Sequence, residues 1–337
     1  MGTWSKPPPG LLELEEGAAV RYKRSHGGSL VRNDGEEVRC CVLGCDKWLP
    51  VRHRGVKSAR EFCPDHGLSV SLSPTYVLRH REANFIVARD MVAPMTKAKV
   101  ETWRLGNERS EDALSWNVFV SLERLGLLPE AIPELSGFTN VELYLWGTPF
   151  NDPDSGLWDR IQAVRRELEP GLRLTTEPDI ILRVPGKILI LIEAKFGSGN
   201  STLKGKEERF GDSADEFLER YRAPEERPDP LNRLWLRDQP LEGVLEQLCR
   251  NALFASHLAE RGEQAVVINL VRQGAEGDVE SRFAKHLNER SSVAFRRMAW
   301  EDLWPVLATA GTEAGHLRDY LAKKTLGLQR AFPSLPA

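Results

Sequence analysis

The sequence predicts an α/β protein, with a mixed β-sheet core flanked by helices and preceded by a small zinc-stabilised domain. Three observations carry that prediction. Two strongly apolar, β-branched runs flank Pro185 and Gly186 in TTEPDIILRVPGKILILIEAKFG, the pattern of two core strands folded back through a turn. Stretches with apolar residues at helical spacing alternate with short strands on either side of that hairpin, as in a sheet with helices packed against it. Toward the amino terminus, Cys40, Cys41, Cys45, Cys63 and His66 gather in one stretch.

Residues 1–18 are a Pro-rich tail expected to be flexible, and 19–90 a small accessory domain whose short strands, such as EEVRC and LSVSL, lie between Gly, Pro and Asp turns. Residues 91–107 read as a linker and 108–330 as the larger domain. That domain opens with SEDALSWNVFVSLERLG, a helix capped by Ser110, with Glu111 and Asp112 suited to its first turn and Gly126 as its stop. A strand at VELYLWG and a helix at WDRIQAVRRELE precede the apolar hairpin. After the hairpin come a polar loop, GSGNSTLKGKEERFG, and a helix over LEGVLEQLCRNALFASHLAE. A strand at QAVVINLV, a helix at VESRFAKHLNER, a strand and helix in VAFRRMAWEDLWPVLA and a last helix near 313–325 complete the order. No fixed-period repeat is present, which argues against a solenoid.

At 337 residues, 41% hydrophobic and 28% charged, the chain has the make-up of a folded globular protein and the length for two domains or for one core with an appendage. No run approaches the roughly 20 apolar residues that cross a bilayer, and the start MGTWSKPPPG has no apolar signal core. An intracellular, cytoplasmic protein with no membrane partner is therefore expected. The net charge of -3 does not announce nucleic-acid binding, although its distribution is uneven. Between 20 and 60, Arg21, Lys23, Arg24, Arg32, Arg39, Lys47, Arg52, Arg54, Lys57 and Arg60 outnumber Asp34, Glu36, Glu37 and Asp46. That segment offers either a positive surface to phosphate or a solvated face.

An odd number of cysteines, mostly clustered, in a chain without an export signal favours metal binding over a disulfide framework. Cys40 and Cys45 bracket a tight segment at Gly44, and Cys63-Pro64-Asp65-His66 supplies a second pair of ligands. Three thiolates and one imidazole suit tetrahedral structural Zn²⁺, which would replace the large apolar core this domain lacks. Cys41 competes with Cys40; Cys40 is preferred because it has the four-residue gap to Cys45 and continues the alternation from Val38. Arg52, Arg54, Lys57 and Arg60, with Trp48 nearby, suit docking to nucleic acid or to a protein partner.

In the hairpin, Asp179 precedes the first strand, while Glu193 and Lys195 end the second on one face, with Ala194 pointing the other way. An apolar strand resists a carboxylate and an ammonium unless pairing or function offsets their desolvation. A turn that folds the strands back brings Asp179 beside the charged pair. Two carboxylates offer hard oxygen ligands to Mg²⁺ or Mn²⁺, and Lys195 is suited to orient an attacking water or to stabilise charge on phosphoryl oxygens.

Pro178-Asp179, thirteen intervening residues and then Glu193-Ala194-Lys195 resembles the signature of the PD-(D/E)XK nucleases, including its placement across a β-hairpin. The resemblance spans roughly residues 105–310. It implies a restriction-endonuclease-like core and a Mg²⁺-dependent endonuclease that hydrolyses phosphodiesters of DNA, double-stranded in the first instance. Asp179 and Glu193 would be its metal ligands and Lys195 its catalytic lysine. Restriction or defence against foreign DNA is the setting it suggests first, with a homodimer if both strands are cut together. Many members carry a further acid on the helix before the core, which falls on Glu111, with Glu108 and Asp112 as alternatives. RecB-like members place Gln and, four residues on, Tyr near the active site; Gln247 matches, and Asn251 stands where Tyr is expected. Gln247 is thus assigned a hydrogen bond to Lys195 or to DNA. Lys204 and Lys206 in the following loop suit the DNA backbone. Two other readings remain: a catalytically inactive nuclease-like DNA-binding protein, and a zinc-dependent protein-interaction adaptor.

Overall fold

The computed structural model describes residues 31–32, 36–42, 45–51, 61–71, 75–86, 105–150, 156–169, 177–202, 245–286 and 293–336. The tail expected at 1–18, linker residues 91–104, the basic Arg52, Arg54, Lys57 and Arg60, and loop residues Lys204 and Lys206 lie outside the described residues. The chain divides into two compact units, Met1–Leu125 with Trp304–Ala337, and Gly126–Leu303.

In the first unit, β1 (Val31–Arg32), β2 (Glu37–Arg39) and β3 (Trp48–Pro50) form an antiparallel sheet, and β4 (Leu68–Val70) and β5 (Tyr76–Leu78) form a hairpin. Such short strands bury little apolar surface of their own. Val38, Leu49, Leu68, Val70 and Tyr76 pack around Cys40, Cys45 and Cys63, so the sulfurs sit inside an apolar cluster of this subdomain. Helix α1 (Glu111–Arg124) starts where expected: Ser110 Oγ accepts the Ala113 N–H at 3.1 Å. Buried Asn117 ties α1 to the chain before it, donating from Nδ2 to Asn84 O at 2.8 Å and accepting the Ile86 N–H at 2.9 Å. Left without partners, those buried backbone groups would each cost about 1–3 kcal/mol.

The second unit runs α2 (Leu128–Ala131), β6 (Glu142–Leu145), β7 (Thr148–Pro149), α3 (Leu157–Leu168), β8 (Ile180–Val184), β9 (Ile188–Ala194), α4 (Glu246–Leu258), β10 (Gln264–Val271), α5 (Val279–Ala284) and β11 (Val293–Ala299). Six strands make one mixed sheet in the order β11-β10-β9-β8-β6-β7. Strands β6, β8 and β9 are antiparallel neighbours, whereas β9, β10 and β11 are parallel. Parallel neighbours need a crossover, and α4 and α5 lie in the two crossovers.

The expected hairpin is present. Pro185 and Gly186 turn the chain so that Val184 pairs with Ile188, with Gly186 at φ 69°. Both strands are buried on both faces, which explains their near-continuous apolarity. Ile181, Leu189, Leu191, Ala265 and Val267 face α3 and α4, meeting Leu157, Ile161, Leu248 and Ala252. The two-residue period continues that face to Glu193 on β9 and Asn269 on β10, which are in register, and outward to Asp179 just before β8. Where the apolar rows end, a polar row therefore crosses three adjacent chain segments.

Helix α2 and the edge strand β7 were not expected. Trp146 (φ 53°) and Gly147 (φ 74°) form a tight turn that pairs Leu145 with Thr148 and adds the edge strand β7. Beyond β11, a 3₁₀ turn at Trp300–Leu303 leads back to the first unit, which ends in α6 (Trp304–Thr309), α7 (Gly315–Lys323) and the hairpin β12 (Thr325–Leu326) and β13 (Gln329–Arg330). No helix among the described residues is long and apolar enough to cross a membrane.

Candidate functional site

The polar row has a defined geometry. Asp179 Oδ2 accepts the backbone N–H of Ala194 at 2.9 Å, so the carboxylate reaches across from the start of β8 to the end of β9. The Asp179 carbonyl in turn accepts the Trp146 N–H at 3.0 Å, fixing the same residue to the β6–β7 turn. Glu193 and Lys195 are 2% and 7% exposed, and Lys195 Nζ donates to Glu193 Oε1 at 2.6 Å. An ion pair so withdrawn from water has a desolvation cost that its mutual attraction offsets only with further hydrogen bonds. Asn251 supplies one, donating from Nδ2 to Glu193 Oε2 at 2.9 Å. The Lys195 backbone is held as well, its N–H on Leu270 O at 2.8 Å and its carbonyl on Trp300 Nε1 at 3.0 Å.

Asp179, Glu193 and Lys195 are thus gathered at one end of the sheet, as their spacing suggested. The residue that reaches Glu193 from α4 is Asn251, one turn beyond Gln247. Gln247 is half-buried on the same helix, and its expected bond to Lys195 is not among the hydrogen bonds of the described residues. Glu111 is the first residue of α1, in the first unit, where its charge suits the helix amino terminus. Its alternative Glu108 holds backbone together instead. Fully buried, it accepts the N–H of Leu328 at 2.7 Å and of Tyr76 at 3.3 Å, and burial pushes its carboxyl pKa up.

No family model, curated protein or solved structure matches the chain. The fold is accordingly an α/β fold with a mixed sheet flanked by helices and a small Cys/His-rich subdomain.

That subdomain holds the one group of three or more metal-capable side chains among the described residues: Cys40, Cys45, Cys63 and His66, with ligand atoms within 4.8 Å of one another. Cys45 Sγ lies 3.8 Å from Cys63 Sγ, too far for a disulfide, and His66 Nδ1 lies 3.7 Å from Cys40 Sγ and 3.4 Å from Cys63 Sγ. A tetrahedral zinc with bonds of about 2.3 Å to sulfur and about 2.1 Å to nitrogen spaces its ligands about 3.8 Å (S to S) and about 3.6 Å (S to N) apart. These three pairs already lie close to that spacing. Two turns create it. Cys45 donates its N–H to Val42 O at 3.1 Å, closing the first knuckle. Gly67, at φ 62°, lets its N–H return to Cys63 O at 2.8 Å, closing the second.

Cys40, and not Cys41, belongs to the group, as the alternation from Val38 indicated. Burial pushes the Cys40 and Cys63 thiols above their ordinary pKa, further raised at Cys40 by the neighbouring cysteines. Three thiolates in one buried cluster need a compensating cation, and a divalent ion would convert the thiols to ligands outright. With all four positions filled by protein, the site has the closed character of a structural metal.

Sequence reasoning missed Asn251 as the partner of Glu193, because that position was compared with a tyrosine. It also passed over Asn269, although an amide inside QAVVINLV is itself a signal of a buried polar partner.

Proposed function

We propose that the protein is a Mg²⁺- or Mn²⁺-dependent DNA endonuclease with a zinc-stabilised accessory subdomain. The observation that carries this reading is the buried pairing of Lys195 with Glu193, 2.6 Å apart and beside Asp179, at the end of an otherwise apolar hairpin. A salt bridge kept only for stability has little reason to occupy that position, since well-packed apolar residues there would serve as well.

Asp179 and Glu193 offer the oxygen donors a hard divalent cation takes, on adjacent chain segments of one face. When bound, that cation would polarise the phosphodiester and lower the pKa of a coordinated water. Lys195 neutralises Glu193 through Oε1. With a cation held by Asp179 and Glu193, the Lys195 ammonium would serve the attacking water or the phosphoryl oxygens as negative charge grows there. Asn251 holds Glu193 Oε2 in place. Gln247, one turn earlier on α4, is assigned to Lys195 or the DNA. Double-stranded DNA is the substrate, and restriction or defence against foreign DNA the setting.

The reading is tested by incubating supercoiled and linear DNA, single- and double-stranded, with Mg²⁺ or Mn²⁺. Metal-dependent cutting by the wild type that Asp179→Ala abolishes supports it; no cutting under any of these conditions overturns it.

A further inference from the structure

We propose that Glu276 is a positioning residue for the Asp179, Glu193 and Lys195 centre: it clamps the segment leaving Lys195 to the strand beside Glu193. The proposal deepens the nuclease reading and rests on it. Asn269 on β10 is the in-register neighbour of Glu193 on β9 and is fully buried, so its amide must find partners. Its Nδ2 donates to Glu276 Oε2 at 2.8 Å, and its Oδ1 accepts Asn200 Nδ2 at 2.9 Å. Asn200 is tied to the same carboxylate twice more, by its backbone N–H to Oε1 at 2.6 Å and by Nδ2 to Oε2 at 2.7 Å.

Two features mark this clamp as built. Glu276 has φ 48°, a left-handed conformation that few residues other than glycine adopt, and it aims its carboxylate at Asn200 and Asn269 from there. Gly199 leaves the room: a Cβ at that position would lie 3.1 Å from Glu276 Oε1.

The clamp bears on both sides of the centre. Toward the amino terminus, the chain from Lys195 is secured by Arg272 Nε on Phe196 O at 3.0 Å. Toward the carboxyl terminus, the Glu246 N–H donates to Ser201 O at 3.1 Å, and Thr202 bridges to Leu245, which joins the segment to the start of α4. Helix α4 then returns Asn251 to Glu193. A closed circuit results, from Glu193 through Asn251, α4, Ser201, Asn200, Glu276 and Asn269 back to the strand position beside Glu193. Glu276 acts on the centre through Asn200 and Asn269.

The chemistry distinguishes glutamate from its isostere. The carboxylate accepts three donors. The amide of Glu276→Gln has one acceptor oxygen and turns an N–H₂ toward at least one of those donors. In the full-length protein, Glu276→Gln should speed amide hydrogen exchange about tenfold or more over residues 196–202 and 246–251, and leave other segments unchanged. It should raise the Mn²⁺ dissociation constant about 10–100-fold, as loss of a group supporting metal ligands does. The rate constant kcat should fall with KM for DNA unchanged. Gly199→Ala, which crowds the carboxylate from the other side, should give the same pattern more weakly. Glu276→Gly relieves the backbone conformation yet removes the carboxylate, so it should match Glu276→Gln in exchange and kcat with little change in Tm, which separates positioning from general stability.

Wild-type exchange over 196–202 and 246–251 in Glu276→Gln, or unchanged kcat and Mn²⁺ affinity, would overturn the proposal. A wild-type protein that neither binds Mn²⁺ nor cuts DNA would instead overturn the nuclease reading, and the exchange measurement alone would then decide the clamp.

Discussion

Asn251 Nδ2 donates to Glu193 Oε2 at 2.9 Å, while Lys195 Nζ holds the other oxygen of the same carboxylate at 2.6 Å. Glu193 thus has one neutral and one charged partner, from two different elements. The neutral partner fixes the rotamer and the charged one compensates the buried charge.

Asn251→Ala should therefore leave a folded protein whose Glu193 carboxylate is less well oriented. We expect DNA cleavage to fall about 10–100-fold with weaker Mn²⁺ binding. Asn251→Asp should be worse than Asn251→Ala, because a second carboxylate would face Glu193 without a proton between them. Titration calorimetry with Mn²⁺ and single-turnover cleavage check both expectations; equal activity in the two variants would refute the assignment.

Purified protein should contain about one zinc per chain, bound by Cys40, Cys45, Cys63 and His66. Cys40→Ser and Cys63→Ser should lose it, and Cys41→Ser should retain it. Chelation should lower Tm through the first unit, since the sulfurs sit within that subdomain's apolar cluster. Elemental analysis by mass spectrometry reads the metal, and zinc loss from Cys41→Ser with retention in Cys40→Ser would reverse the ligand assignment.

A third expectation concerns the other end of the hairpin. Arg183 Nη2 and Nε donate to Glu263 Oε1 at 2.8 and 3.0 Å, and the N–H groups of Gly186 and Glu260 add to the same carboxylate. Burial alone would raise the Glu263 pKa, but these N–H donors and the Arg183 guanidinium outweigh it and hold the carboxyl below its ordinary value. A carboxyl lowered in the folded state stabilises the fold above its unfolded pKa, and that contribution is lost as pH falls through the folded value. Glu263→Gln should cost about 2 kcal/mol at pH 7, and the difference from wild type should shrink below pH 4. Thermal unfolding of both proteins across pH 3–7 measures it; a constant difference would contradict the argument.

Much of this architecture was legible because the sequence writes it locally. Pro185 and Gly186 between two β-branched runs specify a hairpin, and the period of two then sets Glu193 and Lys195 on one face without any knowledge of the sheet. Cys40 was distinguishable from Cys41 by the same alternation. The β6–β7 turn escaped because Trp146 takes a positive φ that ordinarily signals Asn, Asp or Gly. The pairing of Asn251 with Glu193 and the clamp of Asn200, Asn269 and Glu276 escaped for another reason. Apart from the local Asn269–Glu276 contact, they join residues 58, 69 and 76 positions apart, which the sheet register and the α4 crossover bring together.

If Asp179, Glu193 and Lys195 perform metal-dependent phosphodiester hydrolysis, cleavage of supercoiled DNA with Mg²⁺ or Mn²⁺ shows it. Wild type should convert the supercoiled form to nicked or linear product, and Asp179→Ala and Lys195→Ala should each slow conversion about 100-fold or more while remaining folded. Cleavage that proceeds at the wild-type rate in both variants would contradict the account.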